Sequence, residues 1–177
     1  MKILKNILII VALTFIITFI GSLFLPSKYV VSRTIKIQAP IDTIFSYTNN
    51  LQQWNRWIIF NKDADTTFII KYSGPEAGIG AKQYWESKKL GKGILQIIES
   101  KPNKMVVFEE LLGENKFKAI GTFTFDESKD GVLVTWKDEG ALGFNPIARI
   151  FGLFYDKLIG KDYEAGLQDL KKLCEGK

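Results

Sequence analysis

Residues 117–126 read FKAIGTFTFD. Phe117, Ala119, Gly121, Phe123 and Phe125 fall on one side of an extended chain, and Lys118, Thr122, Thr124 and Asp126 on the other. Strand side chains alternate between two faces, so this spelling describes a strand with one apolar and one wet face. A Lys-Asp-Gly turn signal follows at 129–131, and Gly131–Glu139 resumes the alternation. Two such runs joined by a tight turn pair antiparallel.

Working outward, period two holds from residue 66 onward. Thr66–Ser73, Ala81–Ser87, Lys92–Ser100 and Lys104–Leu111 are further strand candidates, with Pro102-Asn103 as a second turn signal. Upstream, VVSRTIKI at 30–37 alternates as a first strand, with Arg33 interrupting its apolar face. Ala39-Pro40 ends that strand. Ile41–Asn49 then places Ile41, Ile44, Phe45 and Thr48 on one helical face, and Leu51–Trp57 suits a second short helix. Downstream, Asn145-Pro146 supplies a cap and an N1 proline. Ile147, Ile150, Phe151, Phe154, Leu158, Leu167, Leu170 and Leu173 follow as an apolar stripe, which Gly152 and Gly160 are placed to bend. The order is strand, two short helices, six strands and a long helix. One long helix in the curl of one antiparallel sheet covers the sheet's apolar face and leaves room for a cavity between them.

Composition narrows the functional classes. The chain has 177 residues, a formal charge of +5, one cysteine and no histidine. Without histidine there is no Ser-His or Cys-His nucleophile and no histidine metal site. Cys174 has no partner for a disulfide, and no Cys, His or carboxylate cluster has metal-ligand spacing. No metal and no cofactor are expected. The basic residues are scattered rather than gathered in a stripe, which argues against a nucleic-acid partner.

Residues 7–25, ILIIVALTFIITFIGSLFL, carry no charge. Nineteen residues at 1.5 Å each make a helix of roughly 28 Å, close to the hydrocarbon thickness of a bilayer. The run is longer than the apolar region of a cleaved signal, and GSLFLPS ends in large residues where a cleavage site needs small ones. An uncleaved single-pass anchor over residues 1–27, before a folded domain over 28–177, is therefore expected, with a cleaved signal and a buried helix as competitors. Lys2 and Lys5 favour a cytoplasmic N-terminus and a domain on the non-cytoplasmic side, while Lys28, Arg33 and Lys36 pull the other way.

GPEAGIGAKQYWES at 74–87 looks at first like a phosphate loop. A Walker loop, GxxxxGK(S/T), counted from Gly74 needs glycine where Ile79 stands, and GxGxxG counted from Gly78 needs glycine where Gln83 stands. Both patterns also need a helix next, whereas AKQYWES alternates as a strand. The segment is expected to be a turn, with Gly78 and Gly80 free to take positive φ.

RTIKIQAPIDTIFSYTNNLQQWNRW at 33–57, YSGPEAGIGAKQYWES at 72–87, GTFTF at 121–125, VTWKDEG at 134–140 and IGKDYEAGLQDLKKL at 159–173 resemble the START-like, helix-grip superfamily, in its polyketide cyclase/dehydrase-like (SRPBCC) branch. The resemblance runs from about Val30 to Leu173. It implies an α+β helix-grip fold, a seven-stranded antiparallel sheet wrapped around a long C-terminal helix. It also implies a glycine connection at the cavity mouth and, commonly, an N-terminal membrane segment. Members of that branch include carriers of hydrophobic ligands and a few cyclases, and no catalytic residue carries over.

Trp54, Trp57, Trp85, Phe108, Phe123, Trp136 and Phe154 are the candidate cavity residues. Each either touches a ligand or packs the core. Arg56, Tyr72 and Tyr84 are polar tips that suit a ligand or solvent. Glu109-Glu110 and Asp138-Glu139 are adjacent acids on strands, so one of each pair points inward and its neighbour outward. An inward carboxyl would have a raised pKa and could serve as acid or base; the alternative is solvation or pairing with a lysine. Arg33 either meets an acidic head group or marks the strand's wet end. The expected function is binding of a small hydrophobic or amphipathic ligand or lipid at a membrane. A cyclase or dehydratase acting on a hydrophobic substrate, and a tethered interaction or stress module, are the alternatives.

Overall fold

The computed structural model describes residues 2–58, 65–89, 91–113 and 117–176. The chain begins with a helix, α1 (Lys2–Ser22), and continues with β1 (Lys28–Ile37), α2 (Ile41–Asn49) and a short 3-10 helix (Gln53–Arg56). Six strands follow: β2 (Ile69–Ser73), β3 (Lys82–Ser87), β4 (Gly91–Lys101), β5 (Met105–Leu112), β6 (Phe117–Ser128) and β7 (Gly131–Ala141). Two helices close the chain, α3 (Pro146–Gly152) and α4 (Tyr155–Glu175).

The seven strands form one antiparallel sheet in the order β1-β7-β6-β5-β4-β3-β2. Five neighbouring pairs are consecutive in sequence, and β1 closes onto β7 with Val31 opposite Asp138 and Ile35 opposite Val134. This is the expected seven-stranded antiparallel sheet. The alternation of β6 appears in the burial: Ala119, Gly121, Phe123 and Phe125 are buried, and Thr122 and Thr124 are not. The β4–β5 register slips between Ile97 and Glu99, a bulge that bends the long strand.

Two helical expectations change. Leu51–Trp57 tightens into the 3-10 turn Gln53–Arg56, fixed by the Trp54 indole N–H donating to the Thr48 carbonyl at 2.9 Å. The C-terminal stripe is not one helix. Asn145 caps α3 as expected, its side chain accepting from the amides of Ile147 and Ala148. The chain then turns at Leu153 and Phe154 before α4 begins. Gly160, also placed to bend the stripe, stays inside α4 and gives Arg33 its space: a Cβ there would lie 2.0 Å from the guanidinium Nη2. Arg33 therefore lies beneath α4, paired with Asp156 at 2.7 Å and Glu164 at 2.6 Å, rather than meeting a ligand.

Candidate functional site

The inner face of the sheet is floored with small residues where aromatic rings lie flat on it. A Cβ on Gly121 would sit 2.0 Å from Phe108 Cζ, one on Gly140 2.4 Å from Tyr29 Cε1, and one on Gly93 2.0 Å from Trp85 Cζ2. A strand glycine commonly marks such an approach. Above this floor Trp54, Trp57, Phe108, Phe123 and Trp136 pack as tilted and edge-to-face pairs, with centroids 4.9–5.9 Å apart. That cluster fills one part of the space between sheet and α4.

The other part is open. A cavity of about 310 Å³ lies between β1, β3–β7, the 3-10 helix and α4. Its size falls at the low end for small-molecule sites. Trp54, Trp85 and Trp136 line it. Trp57, Phe108 and Phe123 lie outside the lining, in the packed cluster, and are 2 % exposed or less. Phe154 stands outside the cavity, half exposed, because the break before α4 turns it away from the sheet. Arg56 and Tyr84 are exposed and off the cavity; Tyr72 accepts a hydrogen bond from the Asn55 amide. The glycine connection is also off it. Gly74, Gly78 and Gly80 take φ of 79°, 78° and 91° as a turn should. Their loop is tied down, with Gly78 N–H donating to Asn49 O and Gly80 N–H to Ile97 O, each at 2.9 Å.

The polar groups of the cavity are few and specific. Inward phase along β5 and β7 delivers Glu110 and Asp138 into the lining, while their outward neighbours find lysines: Glu109 pairs with Lys118, and Glu139 with Lys137 at 2.9 Å. Asp138 is 1 % exposed. Its Oδ1 accepts from the Tyr29 hydroxyl at 2.6 Å, and its Oδ2 has no partner among the described residues. Gln83 Oε1 and Trp136 Nε1, also in the lining, are likewise buried without partners. Burial, then the nearby Asp138 charge, pushes the Glu110 carboxyl up to about 8. Burial pushes Asp138 up to about 6; the Tyr29 hydrogen bond pulls it back and Glu139 adds to the rise. Burial, followed by Asp138, raises the Tyr29 and Tyr163 hydroxyls far above the ordinary range, so both keep their protons. Near neutral pH the site holds a protonated Glu110 as donor and unpartnered acceptors on Asp138 and Gln83.

Three lining tyrosines were not among the sequence candidates. Tyr29 precedes Val31 in the inward phase of β1, one residue before the expected strand start. Tyr155, Ile159 and Tyr163 recur every four residues and so share one face of α4. Tyr163 stacks on Trp136 at 4.0 Å and Tyr155 on Tyr29 at 4.4 Å, which fixes helix to sheet at the cavity.

Residues 28–175 match the family model described as polyketide cyclase / dehydrase and lipid transport. The chain belongs to this family. No curated protein matches it by sequence. Among solved structures, a Chromobacterium violaceum protein is similar at a TM-score of 0.59 and 14% identity, covering 82% of this chain and 96% of that one. The di-domain ARO/CYC StfQ of the steffimycin biosynthetic pathway is similar at 0.62 and 9% identity, over 84% of this chain and 51% of that one. The Aha1 dimer from Colwellia psychrerythraea is similar at 0.55 and 13% identity, over 82% and 96%. At these identities the likeness shows the shared helix-grip fold of the polyketide cyclase / dehydrase and lipid transport family.

Proposed function

We propose that the protein binds a small amphipathic molecule in the cavity between sheet and α4, tethered to a membrane by α1. One observation carries the ligand: an aromatic-walled cavity of about 310 Å³ in which the buried Asp138 Oδ2 and Gln83 Oε1 lack partners. Such groups are costly to leave unpaired. A ligand with an apolar body and a hydrogen-bond donor, a hydroxyl or an amine, facing each of these acceptors would satisfy them. The family's description includes lipid transport, which agrees with this role. For the tether, Ile3–Ser22 is long and apolar enough to cross a membrane, and all of it before Ser22 is exposed rather than packed on the domain. Lys2 and Lys5 favour a cytoplasmic start, which sets the domain on the other side.

Three of the four tryptophans line the cavity, so octanol titrated into the purified protein should change tryptophan emission saturably. Ile159→Trp, which fills the cavity from α4, should abolish the response. A linear response, or one that Ile159→Trp leaves intact, would sink the binding role.

The raised Glu110 carboxyl supports a second role, a cyclase or dehydratase in which Glu110 gives a proton to a bound substrate. The two separate cleanly. In an enzyme Glu110→Gln keeps ligand affinity and loses turnover of a polyketide-like substrate; in a carrier no turnover is found in either protein.

A further inference from the structure

α3 and its flanks carry an apolar surface that the domain leaves open. Phe144, Ile147, Phe151, Leu153, Phe154 and Leu158 are between 50 % and 82 % exposed. The one ionisable residue of α3, Arg149, adds no charge to that surface, because it is only 6 % exposed and turned inward. Its Nη1 donates to Leu23 O at 2.6 Å and Leu25 O at 3.3 Å, and its Nε to Gly143 O at 2.7 Å. Carbonyls at a helix C-terminus lack intrahelical partners and carry partial negative charge, so a guanidinium suits them. Arg149 thus fastens α3 to the end of α1, and the two helices are in contact.

That attachment gives the apolar surface its neighbour. Where α1 ends, Leu23 and Phe24 are 41 % and 87 % exposed, so the patch continues from the anchor across α3. The patch also borders the cavity. Phe117, Tyr155 and Ile159 line the cavity and line a shallower groove completed by Leu142, Phe151 and Leu158.

We propose that α3 lies in the lipid–water interface beside the anchor, and that the groove at Phe151 is the passage from the bilayer to the cavity. The exposed apolar side chains of α3 and its flanks, with Arg149 turned inward, present what an interfacial seat buries, an apolar face sunk about 5–10 Å into the headgroup and acyl boundary. This rests on α1 being a membrane anchor.

The test uses the full chain in phosphatidylcholine–phosphatidylglycerol vesicles containing a lipid nitroxide-labelled high on its acyl chain. In a Cys174→Ser background, Phe151→Cys, Ile10→Cys and Lys129→Cys each carry an environment-sensitive fluorophore. Phe151 is exposed, so the label disturbs no core. Lys129 sits in the turn between β6 and β7, beside the β1 end remote from the anchor. The expected result is quenching at 151 and 10 and none at 129. Quenching at 10 without 151 overturns the interfacial seat and leaves the anchor standing. Quenching at neither overturns both, and quenching at 151 without 10 removes the anchor and with it the seat beside the anchor. If 151 is unquenched and the unlabelled Phe151→Cys protein oxidises to a disulfide-linked dimer, the face belongs to a second copy, which also overturns the seat.

Discussion

Glu110 sets how the fold responds to pH. A free glutamate titrates near 4.5, and in the folded protein Glu110 is raised to about 8. Between those values the folded protein keeps a proton that the unfolded chain has released, so stability falls as pH rises through this window. Asp138 adds to the fall up to about pH 6. Asp65 has the opposite sign. Hydrogen bonds from Ser87 and Thr67 hold it well below the usual range, so its contribution is present at neutral pH and lost on strong acidification. Urea midpoints at pH 5 and pH 8.5 should therefore differ, and Glu110→Gln should flatten the difference; an unchanged slope would show that Glu110 is not the titrating group. Phe123 makes the opposite kind of prediction. It is fully buried among Trp54, Trp57, Phe108 and Trp136 and lies off the cavity lining. Phe123→Ala should cost about 3–5 kcal/mol in denaturant titrations, as in a packed core.

Among the elements, two glycines with equally close neighbours should behave differently. A Cβ on Gly121 or on Gly160 would meet another side chain at 2.0 Å. At Gly121 the neighbour is the fully buried Phe108 ring, hemmed in by Trp54 and Phe123. At Gly160 it is the tip of Arg33, held by Asp156 and Glu164, whose side chains are 57% and 58% exposed. Moving a ring in a close-packed core costs about 1–3 kcal/mol, whereas exposed ion pairs contribute about 0–1 kcal/mol. Gly121→Ala should therefore lower the urea midpoint clearly and Gly160→Ala only slightly; the reverse order would place the rigid contact at α4. Element identity was legible in the sequence because alternation and capping are local. That one acid of each adjacent pair faces inward was legible for the same reason; that these are Glu110 and Asp138 is a finding of the structure. Their lack of a lysine partner was not, because Lys118 and Lys137 stand on the outer face and the pairing of strands decides which acid they reach.

At the scale of the molecule, a chain starting at Ser27 keeps the whole sheet, α4 and the aromatic cluster and gives up Leu23 and Leu25, the partners of Arg149 just beyond α1. That fragment should fold, and α3 should hold it loosely to vesicles; Phe151→Asp should release it in a flotation assay. A fragment that floats equally well with aspartate at 151 would place membrane contact somewhere other than α3. The sequence by itself determined the strands, their antiparallel order, the cap at Asn145, the apolar N-terminal run and the failure of the phosphate-loop spacing, since each depends on neighbours a few residues apart. Tertiary structure alone decided which inward residues meet a cavity and which meet one another. Phe108 and Phe123 read like Trp85 and Trp136 along their strands, yet only the latter pair borders open space. It also decided that the stripe from Ile147 to Leu158 faces outward beside α1, while Leu167 and Leu170 face the sheet. Periodicity records that a face is apolar. What covers that face is set by elements a hundred or more residues away, as Arg149 shows by reaching back to Leu23.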